Sequence, residues 1–115
     1  MKRILIVDDQ PAFRRHLRRL LTLAGMNVVA EAADIAEAKE MVQRFQPDLA
    51  VVDVMLPDVT GLEGVPQLMA LRDSLEVVLV SAYCDFYQTA CKTGAREFVY
   101  KGDLDLDVVR GWVHD

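Results

Sequence analysis

Two apolar runs in this chain each end in acid. Arg3 to Val7 give way to Asp8 and Asp9, and Leu49 to Val52 give way to Asp53. Runs this short and this apolar read as strands buried on both faces, and Pro57 and Gly61 mark a turn after the second. If the strands neighbour each other in a parallel sheet, their carboxyl ends lie together, and ligands bind there. Three carboxylates then share one crevice and repel one another. A hard divalent cation relieves that repulsion, and magnesium suits the donors, because it takes one or two carboxylates, several waters and a phosphate oxygen. Standing alone, Asp8 and Asp9 would read as acids at the start of a helix. Asp58 reads as part of the turn rather than as a ligand.

The elements that must position these groups follow from the rest of the chain. At 115 residues and 52% hydrophobic composition it forms one domain with a full core. A net charge of −5 argues against direct binding of nucleic acid by this domain. No run of 18 or more apolar residues and no leader pattern occurs, so a cytoplasmic location with no membrane contact is expected. Cys84 and Cys91 read as residues of one helix, seven apart and too distant for a disulfide.

Pro11 suits a first helical turn, and Phe13, Leu17, Leu20, Leu21 and Ala24 recur at helical spacing up to Gly25. Asn27 to Ala32 form a second strand. Asp34 with Glu37 makes a capping-box pattern ahead of Ile35, Ala38, Val42 and Phe45. After the third strand, Leu62 to Arg72 read as a helix that starts late or bends, because Pro66 removes a hydrogen bond. Glu76 to Ser81 form strand four, and a helix is expected from about Asp85 to Gly94. Glu97 to Lys101 form strand five, and Asp103 would cap a last helix holding Leu106, Val109 and Val113. This alternation predicts a parallel α/β sandwich with helices on both faces.

Asp8-Asp9, Asp53 with Pro57 and Gly61, Ser81-Ala82, and Lys101 after Phe98 together resemble the receiver domain of two-component response regulators. The resemblance spans essentially the whole chain. It implies a flavodoxin-like, doubly wound sheet with strand order 2-1-3-4-5 and a site at the switch point between strands one and three. It also implies a protein that is not an enzyme acting on outside substrates. Asp53 would accept a phosphoryl group, with magnesium held by Asp8, Asp9, Asp53 and the Met55 carbonyl. Lys101 would bring a positive charge to the phosphoryl oxygens and Ser81 a hydroxyl hydrogen bond, the electrostatic help that phosphoryl transfer needs. Phe98, otherwise ordinary packing on an edge strand, would switch its rotamer with Ser81 and alter the face of helix four, strand five and helix five.

The expected partners are a sensor histidine kinase or a histidine phosphotransfer domain, and a second copy of the chain on phosphorylation. The first helix would meet the kinase through Arg14, Arg15, Arg18 and Arg19, a stripe that also reads as a plain solvated face. Where the family carries proline in a cis peptide after its lysine, this chain carries Gly102. Its end at Asp115, early for the last helix, leads to the expectation of a receiver excised from a longer regulator with a C-terminal output, transcription through a DNA-binding domain. A phosphatase using an aspartyl phosphate would want a second acid where Met55 stands. A flavin module would need a phosphate loop where Asp8, Asp9 and Gln10 stand. The remaining alternative is a receiver-like module that binds proteins without phosphorylation.

Overall fold

The strands are β1 (Arg3–Val7), β2 (Asn27–Ala32), β3 (Leu49–Asp53), β4 (Glu76–Ser81) and β5 (Glu97–Tyr100), all parallel and ordered β2-β1-β3-β4-β5. They belong to a computed structural model that describes residues 1–83, 85 and 87–113. The helices are α1 (Pro11–Leu23), α2 (Ile35–Phe45), α3 (Gly61–Leu71), α4 (Tyr87–Ala90) and α5 (Leu106–Arg110). This is the doubly wound, flavodoxin-like architecture expected from the alternation of elements and from the resemblance.

Alternation along the strands divides the interior into two cores. Leu5, Val7, Ala50, Val52, Val77 and Leu79 face Ile35, Ala38 and Val42 of α2 and Val65 and Leu68 of α3. Ile4, Ile6, Leu49, Val51, Val78, Val80 and Val99 face Leu17 and Leu21 of α1, Val109 of α5, and Trp112. Trp112 is fully buried, and its indole N–H donates to Glu97 Oε2 at 3.2 Å, so the chain after α5 is tied to the edge strand. Register then lines up the strand ends. Val7 lies beside Val52, Asp53 beside Val80, and Ser81 beside Tyr100, which puts Asp8, Asp53, Ser81 and Lys101 at one end of the sheet.

Several element boundaries differ from the sequence reading. Helix three starts at Gly61, capped by the Thr60 hydroxyl, and runs through Pro66 instead of starting late. Pro66 is exposed and sits inside the helix. The helix expected over 85–94 is only Tyr87–Ala90. Thr93 accounts for its end: its hydroxyl donates to the Ala90 carbonyl at 2.7 Å and accepts from Ala95 N–H, competing with the helical ladder. Cys91 therefore stands in a turn as an exposed free thiol, and the one-helix argument for the cysteines fails; Cys84 lies outside the described residues. Lys101 leaves strand five to open a 3-10 turn, Lys101–Asp103. The last helix is capped by Asp105, not Asp103, because the buried Leu104 intervenes in extended backbone. No cis peptide bond occurs among the described residues, Lys101–Gly102 included.

Candidate functional site

Asp8 and Asp53 are both almost fully buried at the carboxyl ends of β1 and β3. Lys101 Nζ bridges them, donating to Asp8 Oδ2 at 2.8 Å and to Asp53 Oδ2 at 3.3 Å. The remaining oxygens are also served: Gln10 N–H donates to Asp8 Oδ1 at 2.8 Å and Met55 N–H to Asp53 Oδ1 at 3.2 Å. Burial first, then the neighbouring Asp8 charge, push the Asp53 carboxyl from its ordinary 3.8 up to about 6, against the pull of Lys101 and the Met55 N–H. The Lys101 ammonium and the Met55 N–H therefore compensate the Asp53 carboxylate only in part.

Asp9 is exposed, and it completes a set in which one carboxylate oxygen each from Asp8, Asp9 and Asp53 lie within 4.8 Å of one another. Three oxygen donors, one cation among them and a surplus of negative charge fit a hard divalent ion. The set opens on a cavity of about 240 Å³ lined by Asp9, Asp53, Met55, Tyr83 and Lys101, among others. Gly61 gives this end its shape. A Cβ there would lie 2.3 Å from the Asp53 carbonyl oxygen, so only glycine lets the start of α3 close on the strand that carries Asp53.

Ser81 is fully buried at the end of β4, and its Oγ accepts from Tyr83 N–H at 3.0 Å. Phe98 is half-buried two residues before Tyr100, beside Leu79 rather than Ser81, and packs on the core under α2 and α3. The arginine stripe divides. Arg14 is partly buried, with its Nε on Glu31 Oε1 at 3.0 Å and its Nη1 on the Asp8 carbonyl, while Arg18 pairs with Glu31 from outside. Arg15 and Arg19 are exposed, so the four do not form one free face.

Other features near the site have no signal in the sequence. Phe13 lies under Lys101, with Nζ 4.1 Å from the ring centroid; the helical periodicity had assigned it to the core and nothing more. Tyr83 and Tyr100 are exposed near the site, and no spacing rule marks them. Asp58 accepts from Ile35 and Ala36 N–H at 3.2 and 3.0 Å, so it caps α2 from across the loop. Burial acts upward on its carboxyl, but those donors and the backbone N–H of Val59 outweigh it and hold the group below the ordinary range.

A family model described as the response regulator receiver domain matches residues 4–108, and the chain belongs to that family. It is 31% identical over 102 residues to the chemotaxis protein CheY of Thermotoga maritima, covering 87% of this chain and 85% of that one. Its fold matches a LuxR-family two-component response regulator from Aurantimonas sp. SI85-9A1 with a TM-score of 0.88 at 30% identity, covering 98% and 82% of the chains. It also matches the response regulator TrrA of Thermotoga maritima, solved with Mg2+ and BeF, with a TM-score of 0.86 at 28% identity and 98% and 96% coverage. Other curated relatives are longer, and the chain spans 50% and 31% of two of them. The chain is thus a CheY-like receiver domain of two-component signalling. No helix among the described residues is long and apolar enough to cross a membrane.

Proposed function

We propose that this receiver takes a phosphoryl group on Asp53 from a phosphohistidine of a sensor kinase or phosphotransfer domain. The observation that carries the reading is Lys101 Nζ spanning Asp8 and Asp53 in a crevice where three carboxylates converge. An Asp53 carboxylate oxygen attacks phosphorus, the P–N bond breaks, and the leaving imidazole takes up a proton. Asp8, Asp9, Asp53 and the Met55 carbonyl would hold magnesium, which supplies charge neutralisation at the transferring group. Lys101 keeps a positive charge beside Asp53, and Ser81 holds a hydroxyl at the adjacent strand end.

The same reading makes Phe98 the group that passes the change at Ser81 to the face of α4, β5 and α5. Docking falls to the exposed Arg15, Arg18 and Arg19, of which Arg18 also pairs with Glu31, since Arg14 is partly buried. The domain would act in the cytoplasm as the receiver of a longer regulator, and the putative transcriptional regulator among the longer relatives and the LuxR-family neighbour support a transcriptional output.

Intact mass after incubation with acetyl phosphate and magnesium tests the site. Wild type is expected to gain one phosphoryl mass and Asp53→Asn none, because an amide is a poor nucleophile. Equal labelling would move the acceptor elsewhere. No labelling of wild type, with or without a kinase, would favour a module that binds proteins without phosphorylation.

A further inference from the structure

The phosphoryl chemistry proposed above leaves one contact of Lys101 unused. Its ammonium meets three surfaces: Asp8 Oδ2 at 2.8 Å, Asp53 Oδ2 at 3.3 Å, and the face of Phe13 at 4.1 Å from Nζ to the ring centroid. The lysine side chain is only 14% exposed, so the ring replaces water on the side that the carboxylates do not cover.

The loop that carries Lys101 contributes little to this placement. The residue opens a 3-10 turn whose next position, Gly102, has no side chain, and the Tyr100 ring fills the space there: a Cβ on Gly102 would lie 2.3 Å from Tyr100 Cε2. Tyr100 therefore braces the backbone of the turn, and the ammonium is located by groups from other elements.

Phe13 is itself firmly held. It is half-buried in the first turn of α1 and packs on the core beneath that helix. The next residue, Arg14, is bonded at once to the Asp8 carbonyl and to Glu31. Phe13 and Asp8 thus belong to one rigid corner, and the distance between ring and carboxylate is set independently of the lysine.

We propose that Phe13 is a positioning residue for the phosphorylation chemistry, its ring serving as the bearing on which Lys101 turns from Asp8 toward a phosphoryl group on Asp53. A lysine stem has several freely rotating bonds, and two carboxylates attract its charge without fixing its direction. An aromatic face attracts a cation over a broad area while excluding water. The ammonium can then change carboxylate partners without becoming fully hydrated. This inference rests on the phosphoacceptor reading of Asp53.

The test uses the full chain with magnesium, phosphoramidate as donor, and intact mass as readout. Phe13→Leu keeps an apolar side chain of similar bulk and removes the ring. It is expected to slow labelling by roughly fivefold to tenfold, within the usual strength of a cation–π contact, while Phe13→Tyr stays within about twofold of wild type. In a Lys101→Ala background, Phe13→Leu is expected to have no further effect. A wild-type rate for Phe13→Leu, or equal slowing in the Lys101→Ala background, would overturn the proposal, the latter showing a merely structural role. Should wild type take no phosphoryl group, the reading of Asp53 fails first and this inference with it. The contact has its own readout, which needs no phosphorylation: the ε-methylene proton resonances of Lys101 are expected upfield in wild type and Phe13→Tyr relative to Phe13→Leu, through the ring current. Identical positions in all three would overturn the contact while leaving the phosphoacceptor reading intact.

Discussion

The acid end of β1 and β3 and the outer edge at β5 are built to different standards. Every residue of β3 is buried, and so is every residue of β1 except Arg3, whereas β5 has two exposed residues in four. The helix beside β1, α1, has 13 residues, and the helix before β5, α4, has four. Asp8 and Asp53 are thereby fixed by strands that cannot shift without disturbing both cores. Phe98 lies on an edge strand with two exposed residues in four, and Lys101 in the 3-10 turn that follows it. A site that must hold carboxylates together yet respond to one added group gains from that division, since a switch needs two packings of similar energy.

The comparison can be broken most directly in the core. Val52 in β3 is fully buried, and Val99 in β5 is 7% exposed. Removing two methyl groups from Val52 should cost about 2–3 kcal/mol from lost transfer energy and the cavity left behind, and Val99→Ala roughly 1–2 kcal/mol because the edge can relax. Urea denaturation of both variants checks this. Equal losses would mean that the edge is as tightly built as the centre.

Much of this division could be read in the chain before any coordinates. The five strands, their two-faced burial and the capping of α2 by Asp34 follow from apolar runs and the spacing of a few polar residues. So did the meeting of Asp8, Asp53, Ser81 and Lys101, because parallel strands deliver their ends to one place. The errors cluster around β5. Helix four is expected to run to Gly94 as its stop, a signal that does not see the Thr93 hydroxyl bonding back to the Ala90 carbonyl. The cap of α5 moved from Asp103 to Asp105 because the burial of Leu104 is a tertiary fact. Phe13 and Arg14 were assigned to a core stripe and a charged stripe, yet both touch the site. A side chain near a helix start can serve packing and chemistry together, and spacing reports only the first.

At the acid end, magnesium should stabilise the fold, by roughly 2.7 kcal/mol at a hundredfold excess over its Kd, through mass action on the folded state alone. Asp9→Ala should remove most of the accompanying rise in Tm, because Asp9 is the exposed member of the cluster and the one with least structural duty. An unchanged rise would place the ion away from the three carboxylates.

A smaller effect sharpens the same point without metal. The Asp53 carboxyl titrates at about 6 in the folded chain against an ordinary 3.8, so the folded state binds that proton more tightly than the unfolded state does. The resulting stabilisation is complete below about pH 3.8 and is lost as pH rises through about 6. In EDTA, Asp53→Asn lacks this loss. It should exceed wild type by about 1–2 kcal/mol at pH 7.5, and the gap should close as pH falls toward 4. A gap that does not vary with pH would show that the ionised carboxylate is not the source.

The smallest change in chemistry is expected at Phe98. Its ring packs on the core under α2 and α3 and stands beside Leu79, two register pairs before the Ser81–Tyr100 pair and on the same face of the sheet. The crevice is lined by Asp9, Gln10, Asp53, Met55, Ala82, Tyr83 and Lys101, so Phe98→Ala should change the rate of labelling at Asp53 by less than about twofold. Its effect belongs to the response. If a phosphoryl oxygen draws the Ser81 hydroxyl from its bond with Tyr83 N–H, the space released lies between β4 and β5, and an aromatic ring two residues before Tyr100 is the group that can fill it. Exchange of the β5 amides, Glu97–Tyr100, should therefore differ between the free and phosphorylated wild type and scarcely differ in Phe98→Ala. Identical exchange in wild type before and after labelling would mean that the edge strand is as fixed as β3, and that any signal leaves the domain by another surface.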